Sequence, residues 1–313
     1  MTTFNDTGYD PAAFTLIGFP GLEHVHIWIG FPMCFLYMIA LFGNCVILYI
    51  IQVESSLHEP MYLFLAMLAA IDILLSTSTM PKILILLWFD VMEISFHSCL
   101  IQMFFIHCLS AIESTVLLAM AFDRYIAICN PLRHSSILTN PRIALIGLIS
   151  VIRGLMLIGP IPFLIKRLPF CHSKVLSHPF CVHQDVMKLA CADTKPNIVY
   201  GLFVILFIMG VDSLLISLSY AKILKTVCRL SRKESLKAFN TCISHVLAVF
   251  IFYVPLIGLS VVHRFRNGSS TTIHVVMGDI YLFVPPVLNP IVYGIKTSKI
   301  RLKIIRLFWN PSA

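Results

Sequence analysis

The segment from Ile27 to Ile51 reads IWIGFPMCFLYMIALFGNCVILYII and contains no Asp, Glu, Lys or Arg. A helix needs about 20 consecutive, mainly apolar residues to cross the hydrocarbon core of a bilayer, so this segment is long enough to span a membrane. Six further stretches are similarly apolar. They run from Met61 to Leu87, Leu100 to Ile128, Ile143 to Ile165, Ile198 to Leu224, Ala238 to Val262 and Ile273 to Ile295. The sequence therefore predicts an all-α membrane protein, a bundle of seven transmembrane helices, here numbered span one to span seven.

The composition of the whole chain agrees with a membrane location. Of its 313 residues, 58% are hydrophobic and 12% are charged, and the mean hydropathy is +0.89. A soluble domain carries about 25% charged residues, so this chain lacks the charges that a polar outer shell requires. These values exclude a soluble globular enzyme, a disordered or collagen-like chain and a small disulfide-stapled domain. No segment shows the alternating pattern of a transmembrane β-barrel.

Lys and Arg are unevenly distributed between the two ends of the predicted bundle. Fourteen lie at or beyond the ends of spans three, five and seven, eight lie at the opposite end of the bundle, and Arg153 lies within span four. Because cytoplasmic loops collect Lys and Arg, we expect an extracellular tail over 1–26, the bundle over 27–296, and a cytoplasmic amphipathic helix and tail over 297–313. The net charge of +8 is then explained by topology and gives no reason to expect a nucleic-acid partner.

The predicted extracellular tail contains an N-glycosylation sequon at Asn5. A second sequon, at Asn267, lies close to the predicted bilayer surface, where a glycan is less readily added. The first residues lack the basic region and cleavable apolar core of a signal peptide. Span one is therefore expected to act as its own uncleaved insertion signal.

The ten cysteines fall into two groups. Six lie in spans or at the predicted cytoplasmic edge, where small buried thiols are expected. The other four lie on the predicted outer side, which is an oxidising setting. They are Cys99, Cys171, Cys181 and Cys191. Four cysteines can pair in three ways, and the sequence does not choose between them. The long outer loop from Lys166 to Pro196 also carries His172, His178 and His183. A soft-metal site is therefore the alternative to the favoured disulfides.

Six short motifs occur in order along almost the whole chain. They are Gly43-Asn44 in span one, PMYLFL at 60–65, MAFDRYIAIC at 120–129, Ser219-Tyr220, KAFNTCISH at 237–245 and PPVLNPIVYG at 285–294. In these motifs the chain resembles the olfactory receptors, a branch of the rhodopsin-like G-protein-coupled receptors. The segments LIGFPGLE at 16–23 and FYVP at 252–255 are similar to the class I, or fish-like, branch.

The resemblance implies a plasma-membrane receptor that is not an enzyme. It implies two partners, a small-molecule odorant and a heterotrimeric stimulatory G protein whose activation raises cAMP. Within its branch the chain looks like the subfamily that contains receptors for short carboxylic acids. The resemblance also implies the disulfides Cys99–Cys181 and Cys171–Cys191, and it places Gln184 and Gly201 in the ligand pocket.

Asp123, Arg124 and Tyr125 lie where an apolar span meets the predicted cytoplasm. An acid beside a guanidinium can hold it in a local ion pair until a partner competes for it. The alternative is a charge pair that only anchors the helix end. By resemblance, Arg124 contacts the G protein.

Span seven contains Asn289 and Pro290, and a proline within a helix frees backbone groups that need polar partners. Such a segment can have two packings, which a receptor requires. Tyr220 and Tyr293 complete the predicted switch. Beyond it, Lys296 to Trp309 is predicted to form a basic amphipathic helix on the membrane surface.

Two acids, Asp72 and Glu113, lie in the middle of spans, where an isolated charge is costly and is usually paired or functional. With Asn44, Ser114 and Asn289 they resemble a polar core that can hold sodium, because hard cations prefer oxygen ligands. The alternative is that one acid is protonated and the pair hydrogen-bonds within the bundle. No cofactor is expected apart from sodium in this core. Asp212 and Asp279 also lie near spans, and the sequence assigns them no role.

The ligand pocket is predicted between the outer halves of spans three, five and six. His107, Ser110, Ala111 and Ser114 follow the i, i+3, i+4, i+7 spacing that places residues on one helix face. Two apolar residues of span four, Ile158 and Ile161, are predicted to form a wall for an alkyl tail.

On span six, a similar stripe is formed by Tyr253, Ile257, Ser260 and Arg264. A guanidinium can bind a carboxylate through two hydrogen bonds, so Arg264 is the predicted anchor, with Ser260 and His107 as further donors. The alternatives are an Arg264 that extends to water at the rim and a His107 that is satisfied in the interior. The expected agonist is a small fatty acid or a similarly polar volatile.

An ion-coupled transporter or channel is the rival class, since buried acids and kinked helices also mark ion pathways. The chain shows no internal symmetry of the kind that carriers usually have. A membrane enzyme is disfavoured, because Glu113 and His107 have no nearby nucleophile and no HExxH pattern.

Overall fold

The computed structural model describes residues 12–19, 21–171, 174–265 and 271–309, with the side chains at 237, 241, 261–265, 271–274 and 309 excepted. Within these residues, seven helical segments are long and apolar enough to cross a membrane. The prediction of a seven-helix all-α membrane bundle is confirmed. The end of the bundle that carries Cys99 is called the outer end below, and the end that carries Arg124 is called the inner end.

The helices follow one another along the chain with short connections. Spans one to three are α1 (His26–Val53), α2 (Pro60–Phe89) and α3 (Phe96–Cys129), and the short helix α4 (His134–Ile137) follows. Span four is α5 (Asn140–Ile158) with α6 (Pro160–Lys166). After the loop helix α7 (His183–Lys188), span five is α8 (Lys195–Ile205), a π-helical stretch (Leu206–Val211) and α9 (Asp212–Val227). Spans six and seven are α10 (Arg232–Phe265) and α11 (Thr271–Lys296), and α12 (Ser298–Trp309) is the eighth helix.

Several helices begin at a proline. Pro60 and Pro160 open α2 and α6, and Pro141 and Pro196 lie in the first turns of α5 and α8. The first turn of a helix has no internal partner for its N–H groups, so a residue that lacks the N–H is tolerated there. Pro160 also explains why span four is two helices rather than one.

Span six begins earlier than its apolar run, at Arg232 rather than Ala238. The backbone N–H of Ser231 donates to Oε2 of Glu234 at 3.3 Å, and the backbone N–H of Glu234 donates to the Ser231 hydroxyl at 3.5 Å. This is the reciprocal arrangement of a capping box. The Ser231 hydroxyl also donates to Oε2 of Glu234, at 2.7 Å. These hydrogen bonds lower the pKa of Glu234, and they start the helix in the polar region beyond the membrane.

A small sheet covers the outer end, and the sequence did not predict it. Strand β1 (Ala13–Leu16) lies between β2 (Glu93–Ser95), which is antiparallel to it, and β3 (Val175–Leu176), which is parallel. Phe14 and Leu16 alternate towards the core. The ring of Phe14 packs 5.7 Å from that of Phe96 and 5.6 Å from that of Phe170. Part of the predicted extracellular tail therefore packs on the bundle.

The structure contains the two disulfides that the resemblance implies. Cys99 and Cys181 join span three to the outer loop with a Cα–Cα distance of 5.5 Å. Cys171 and Cys191 close the loop itself, with a Cα–Cα distance of 5.9 Å. The predicted glycosylation sites, Asn5 and Asn267, lie outside the described residues.

Candidate functional site

A cavity of about 190 Å³ lies at the outer end, between the outer loop, span five and span six. Three of the residues predicted for the ligand pocket, Gln184, Gly201 and Ser260, line it. The other lining residues are His183, Met187, Lys188, Asn197, Ile198, Leu202 and Ile205. We call this space the outer cavity.

Two buried polar groups of the outer cavity have no partner among the described residues. They are Nε2 of His183 and Nδ2 of Asn197. Buried polar atoms are almost always hydrogen-bonded to protein or water, so these two atoms have unused hydrogen-bonding capacity beside the cavity. Burial lowers the pKa of His183 to about 4, and its imidazole is therefore neutral near pH 7.

Gly201 allows the ring of His183 to pack against span five. A Cβ atom at this position would lie 3.2 Å from Cε1 of His183, which is tighter than an ordinary contact. The sequence singled out Gly201 through the resemblance, but it gave no signal for His183 or Asn197 as pocket residues. Their role depends on how the outer loop folds over span five.

Lys188 brings a positive charge to the wall of the outer cavity. Its ammonium lies 3.5 Å from Oδ1 of Asp185, and its side chain is 56% exposed. The sequence counted Lys188 only as an outer-loop charge. The structure places it beside Gln184 and Asn197 in one lining.

The predicted stripe on span three lies in the interior but does not line the outer cavity. The hydroxyl of Ser110 donates to the carbonyl of Ile106 at 2.8 Å and accepts from the Tyr281 hydroxyl at 2.5 Å. Ala111 is buried. Nε2 of His107 is buried with no partner in the described part of the chain, and its ring is close enough to His183 for an electrostatic interaction.

Three other pocket candidates lie elsewhere. Ile158 and Ile161 are buried in the hydrophobic core and do not line the outer cavity. Ile257 is 49% exposed, because it continues the exposed stripe of Phe250 and Val254 rather than the inward face of span six. The side chain of Arg264 is outside the part of the chain that the structure describes, so its anchoring role stays a prediction.

The two mid-span acids lie in the fully buried middle of the bundle. Nδ2 of Asn289 donates to Asp72, at 3.1 Å from Oδ2 and 3.4 Å from Oδ1. Both carboxylate oxygens of Glu113 are buried without a hydrogen-bond partner among the described residues. Glu113 is close enough to Asp72 for their charges to interact. Two carboxyl groups of this kind, buried in a low dielectric, fit either a cation or a proton.

The Gly43-Asn44 pair of span one packs against the proline of span seven. Pro290 has no N–H, so the carbonyl of Pro286 loses its donor one turn later in the helix. Nδ2 of Asn44 donates to that carbonyl at 3.0 Å. A Cβ at Gly43 would lie 2.9 Å from Cβ of Pro290, so glycine permits the approach.

Ser114 belongs to a different network from the one predicted for it. Its hydroxyl lies 2.6 Å from Oδ2 of Asp212 and 2.8 Å from the Tyr253 hydroxyl. Nη1 of Arg153 donates to the same Oδ2 at 2.8 Å and to Oγ1 of Thr115 at 2.6 Å. This network joins spans three, four, five and six. The only sequence signal for it was a pair of opposite charges, Arg153 and Asp212, within spans.

At the inner end, Asp123 and Arg124 form a local ion pair. Nε and Nη2 of Arg124 lie 2.9 and 2.5 Å from Oδ2 of Asp123. The other oxygen, Oδ1, lies 2.8 Å from Nε2 of His134, which the sequence did not indicate. Asp123 is buried with a partner on each oxygen, and such charge-assisted hydrogen bonds fix its position.

Tyr220 and His245 connect spans five, six and three. The Tyr220 hydroxyl lies 2.6 Å from Nδ1 of His245, and Nε2 of His245 lies 3.0 Å from the carbonyl of Leu117. A carbonyl only accepts, so Nε2 carries the proton and Tyr220 donates to Nδ1. The hydroxyl of Tyr293 is buried and has no partner in the described region.

Comparison with known protein sequences agrees with these features. A sequence model described as "Olfactory receptor" matches residues 33–310, which is most of the chain. The chain belongs to the olfactory receptor family. Olfactory receptor 51E2 of Homo sapiens is 63% identical to this receptor over 298 residues, covering 95% of this chain and 93% of the relative. Olfactory receptor 51E1 of Homo sapiens is 61% identical over 295 residues, covering 94% and 93%.

A solved structure supports the fold. Squid rhodopsin matches with a TM-score of 0.72 over 91% of this receptor and 81% of the rhodopsin chain, at 18% identity. Identity this low speaks for the fold alone. Family membership makes the receptor a multi-pass, seven-span G-protein-coupled receptor and not an enzyme, and the transporter or channel alternative is set aside.

The receptor has a second, larger cavity at its inner end. It measures about 870 Å³ and lies between spans two, three, six and seven and the eighth helix. Arg124 and Tyr293 of the predicted switch line it, together with Asn240 and Ser244 of the KAFNTCISH motif. We call this space the inner cavity. It brings motifs that are far apart in the sequence to one surface.

Proposed function

We propose that the receptor binds a small carboxylic acid or a similarly polar volatile in the outer cavity. In response it activates a stimulatory heterotrimeric G protein and raises cAMP. The observation that carries the proposal is the outer cavity itself, which is small and contains unpartnered buried polar atoms. The carboxylate class also rests on the resemblance to receptors for short acids.

The size of the outer cavity favours a small agonist. Pockets for drug-sized ligands measure about 300–1,000 Å³, whereas this one is about 190 Å³. A water molecule occupies about 30 Å³ of liquid, so the space suits roughly six non-hydrogen atoms. A short acid such as propionate or butyrate has that size.

The lining of the outer cavity favours a polar head and a short apolar tail. Lys188 supplies a positive charge, and Asn197 and Ser260 supply donors for a carboxylate. Ile205 and Leu202 offer apolar contacts for an alkyl chain. Arg264 follows Ser260 by four residues on span six. It remains the predicted second cation.

Span six connects the outer cavity to a hydrogen-bonded network deeper in the bundle. Ser260 lies two turns along span six from Tyr253, a rise of about 10 Å at 1.5 Å per residue. Tyr253 is hydrogen-bonded to Ser114, which is bonded to Asp212. An agonist that draws Ser260 towards span five would shift Tyr253 and hence this network.

The inner cavity supports the proposed coupling. A guanidinium held by only one neighbouring carboxylate, as Arg124 is by Asp123, can exchange partners when a G-protein helix enters. Fourteen of the 23 Lys and Arg residues lie at this end, which supports a cytoplasmic position. We place the receptor in the plasma membrane with its N-terminus outside.

Sodium is a further proposal, for the site formed by Asp72, Glu113 and Asn289. These residues would hold the ion, which would neutralise charge between the two carboxylates. The support is the pair of unpartnered Glu113 oxygens near Asp72. Titrating sodium against the agonist response of the wild type and of Asp72→Asn tests this, and an identical salt dependence in both would contradict it.

The principal experiment measures cAMP in cells that express the full-length receptor at a verified surface level. We expect responses to short carboxylates, with weaker responses to the alcohols and amides of the same length. Arg264→Ala and Lys188→Gln should reduce potency towards the acids. Lys195→Gln is the matched control, because Lys195 is an exposed cation outside the cavity lining.

Two outcomes would contradict the proposal. Full potency of both Arg264→Ala and Lys188→Gln towards acids would remove the carboxylate anchor. A response that persists in Arg124→Ala at normal surface expression would contradict coupling through the inner cavity.

A further inference from the structure

A groove of about 440 Å³ runs along the outside of the receptor between spans three, four and five, in their inner halves. Phe122, Leu215 and Leu218 form its walls and are 41%, 43% and 50% exposed. Apolar side chains exposed on a membrane span face lipid tails. We call it the lipid groove.

We propose that the lipid groove binds an anionic phospholipid of the inner leaflet, with its headgroup at Lys222 and one acyl chain along the apolar walls. The inner end faces the cytoplasm, as proposed above. The site is separate from both the outer and the inner cavity.

The charge at one end of the groove supports an anionic headgroup. Lys222 lines the groove and is exposed. Its ammonium lies over the Tyr125 ring, 5.4 Å from the centroid. Among the described residues, no carboxylate lies within salt-bridge distance of this ammonium. The cytoplasmic leaflet is anionic, and basic side chains at its surface attract its headgroups.

The length of the groove matches one leaflet. Its lining on span three extends from Tyr125, beside Lys222, to Thr115. Ten residues of helix rise about 15 Å at 1.5 Å per residue. One leaflet contributes about half of a hydrocarbon core that is about 30 Å thick. An acyl chain whose headgroup lies at Lys222 would therefore reach Thr115 near the bilayer midplane.

A second groove offers an internal comparison. It measures about 380 Å³ and lies between the inner halves of spans five and six, beside Tyr220 and Phe250. Its lining contains no charged residue. Both grooves can hold an acyl chain, and only the lipid groove can distinguish an anionic headgroup from a zwitterionic one.

The test uses the full-length receptor in phosphatidylcholine nanodiscs that contain a small fraction of phosphatidylserine with a photoreactive acyl chain. Cross-linked peptides are identified by mass spectrometry. We expect labelling of the segments that contain Phe122 and Leu218. Lys222→Gln should reduce that labelling about fivefold, the effect of one Lys near an anionic surface. Labelling of the groove between spans five and six should not change.

Three controls make the result decisive. Lys225→Gln removes an exposed cation three residues along the same helix but outside the groove lining, and it should leave labelling as in the wild type. Photoreactive phosphatidylcholine should label the lipid groove about fivefold less than phosphatidylserine. Leu218→Trp fills the acyl path from an exposed position, so it should block labelling without affecting folding.

Either of two results would overturn the proposal. One is equal labelling of the lipid groove in Lys222→Gln and the wild type. The other is equal labelling by the two phospholipids. These measurements use no agonist and no G protein, so they are independent of the proposed response to acids.

Discussion

Removing the guanidinium of Arg153 should destabilise the receptor more than removing any exposed cation. Arg153 donates to Oδ2 of Asp212 at 2.8 Å, and the side chain of Asp212 is only 2% exposed. Arg153→Met keeps most of the side-chain volume and leaves the carboxylate of Asp212 buried with the Ser114 hydroxyl as its remaining donor. The variant therefore separates loss of charge from loss of packing.

The expected magnitude depends on which loss dominates. A hydrogen bond between membrane helices is worth about 0.6 kcal/mol and at most about 1.7 kcal/mol. Breaking a buried ion pair by removing one partner costs about 3–5 kcal/mol, because the other charge is left uncompensated. Ser114 stays in place and Arg153 is partly exposed, so we expect the lower limit, about 3 kcal/mol.

The assay is the free energy of unfolding of the purified receptor without agonist. Arg153→Met is compared with the double variant Arg153→Met/Asp212→Asn, in which the buried charge is also removed and an oxygen acceptor for Ser114 remains. The double variant should recover most of the loss and stay within about 1.5 kcal/mol of the wild type. Lys299→Gln is the control, because its ion pair with Glu59, at 2.6 Å, is half exposed and should contribute less than about 1 kcal/mol.

Two results would refute this reasoning. If Arg153→Met is no worse than Lys299→Gln, the pair does not stabilise the bundle. If the double variant is as unstable as Arg153→Met, the loss comes from packing around Arg153, including its contact 5.4 Å from the centre of the Phe207 ring, and not from the unpaired carboxylate.

Three other predictions follow from the outer end. The pKa of His183 is about 4 in the folded receptor and 6.5 ordinarily, so between these values the unfolded chain binds a proton that the folded receptor does not. The free energy of unfolding should therefore fall by about 2 kcal/mol from pH 7.5 to pH 5. Thermal unfolding of His183→Gln should lack this part of the pH dependence. Gly201→Ala should raise the agonist concentration for half-maximal cAMP about fivefold through crowding of about 1 kcal/mol, whereas Gly210→Ala, whose Cβ would meet nothing within 4 Å, should not. Replacing the Cys99–Cys181 pair by serines should destabilise the receptor about 1 kcal/mol more than replacing Cys171–Cys191. The reason is that the two disulfides close loops of 82 and 20 residues. Equal losses of stability in thermal unfolding would contradict this prediction.

The seven spans were predictable because each one is a single continuous apolar stretch of the sequence. An apolar run that is long enough to cross a bilayer has few alternatives to a helix, since its backbone groups must be satisfied internally. The predicted ends of the spans were less accurate than their number. Span six, for example, begins at Arg232 and not at Ala238. Its polar first turns are stabilised by Ser231 and Glu234, and hydrophobicity does not reveal such turns.

The sequence also did not predict where helices are interrupted within the spans. The break before Pro160 and the π-helical stretch at Leu206–Val211 lie inside apolar runs. Periodicity and hydropathy average over such features. The small outer sheet was missed for another reason, because its three strands come from segments that are distant in the sequence.

The candidate site divides in the same way. Gln184, Gly201 and Ser260 came from the resemblance and from helix spacing, and the structure brings them into one lining. Ile257 satisfied the spacing, but spacing fixes only which residues share a face and not which way that face points. His183 and Lys188 lie in the outer loop, whose path the two disulfides constrain. Asn197 lies on span five, where this loop packs against it.

The position of Ser114 connects the polar groups that the sequence had placed in one core. Ser114 is bonded to Tyr253 and Asp212, while its neighbour Glu113 lies near Asp72. Consecutive residues of a rigid helix cannot move independently, so a shift of Tyr253 that displaces Ser114 also displaces Glu113. If an agonist moves span six and a cation binds Glu113 with Asp72, the two ligands are coupled, and the coupling must be reciprocal. Agonist should then change sodium affinity by the same factor by which sodium changes agonist affinity. A factor of one in paired binding titrations would show that the two sites are not coupled.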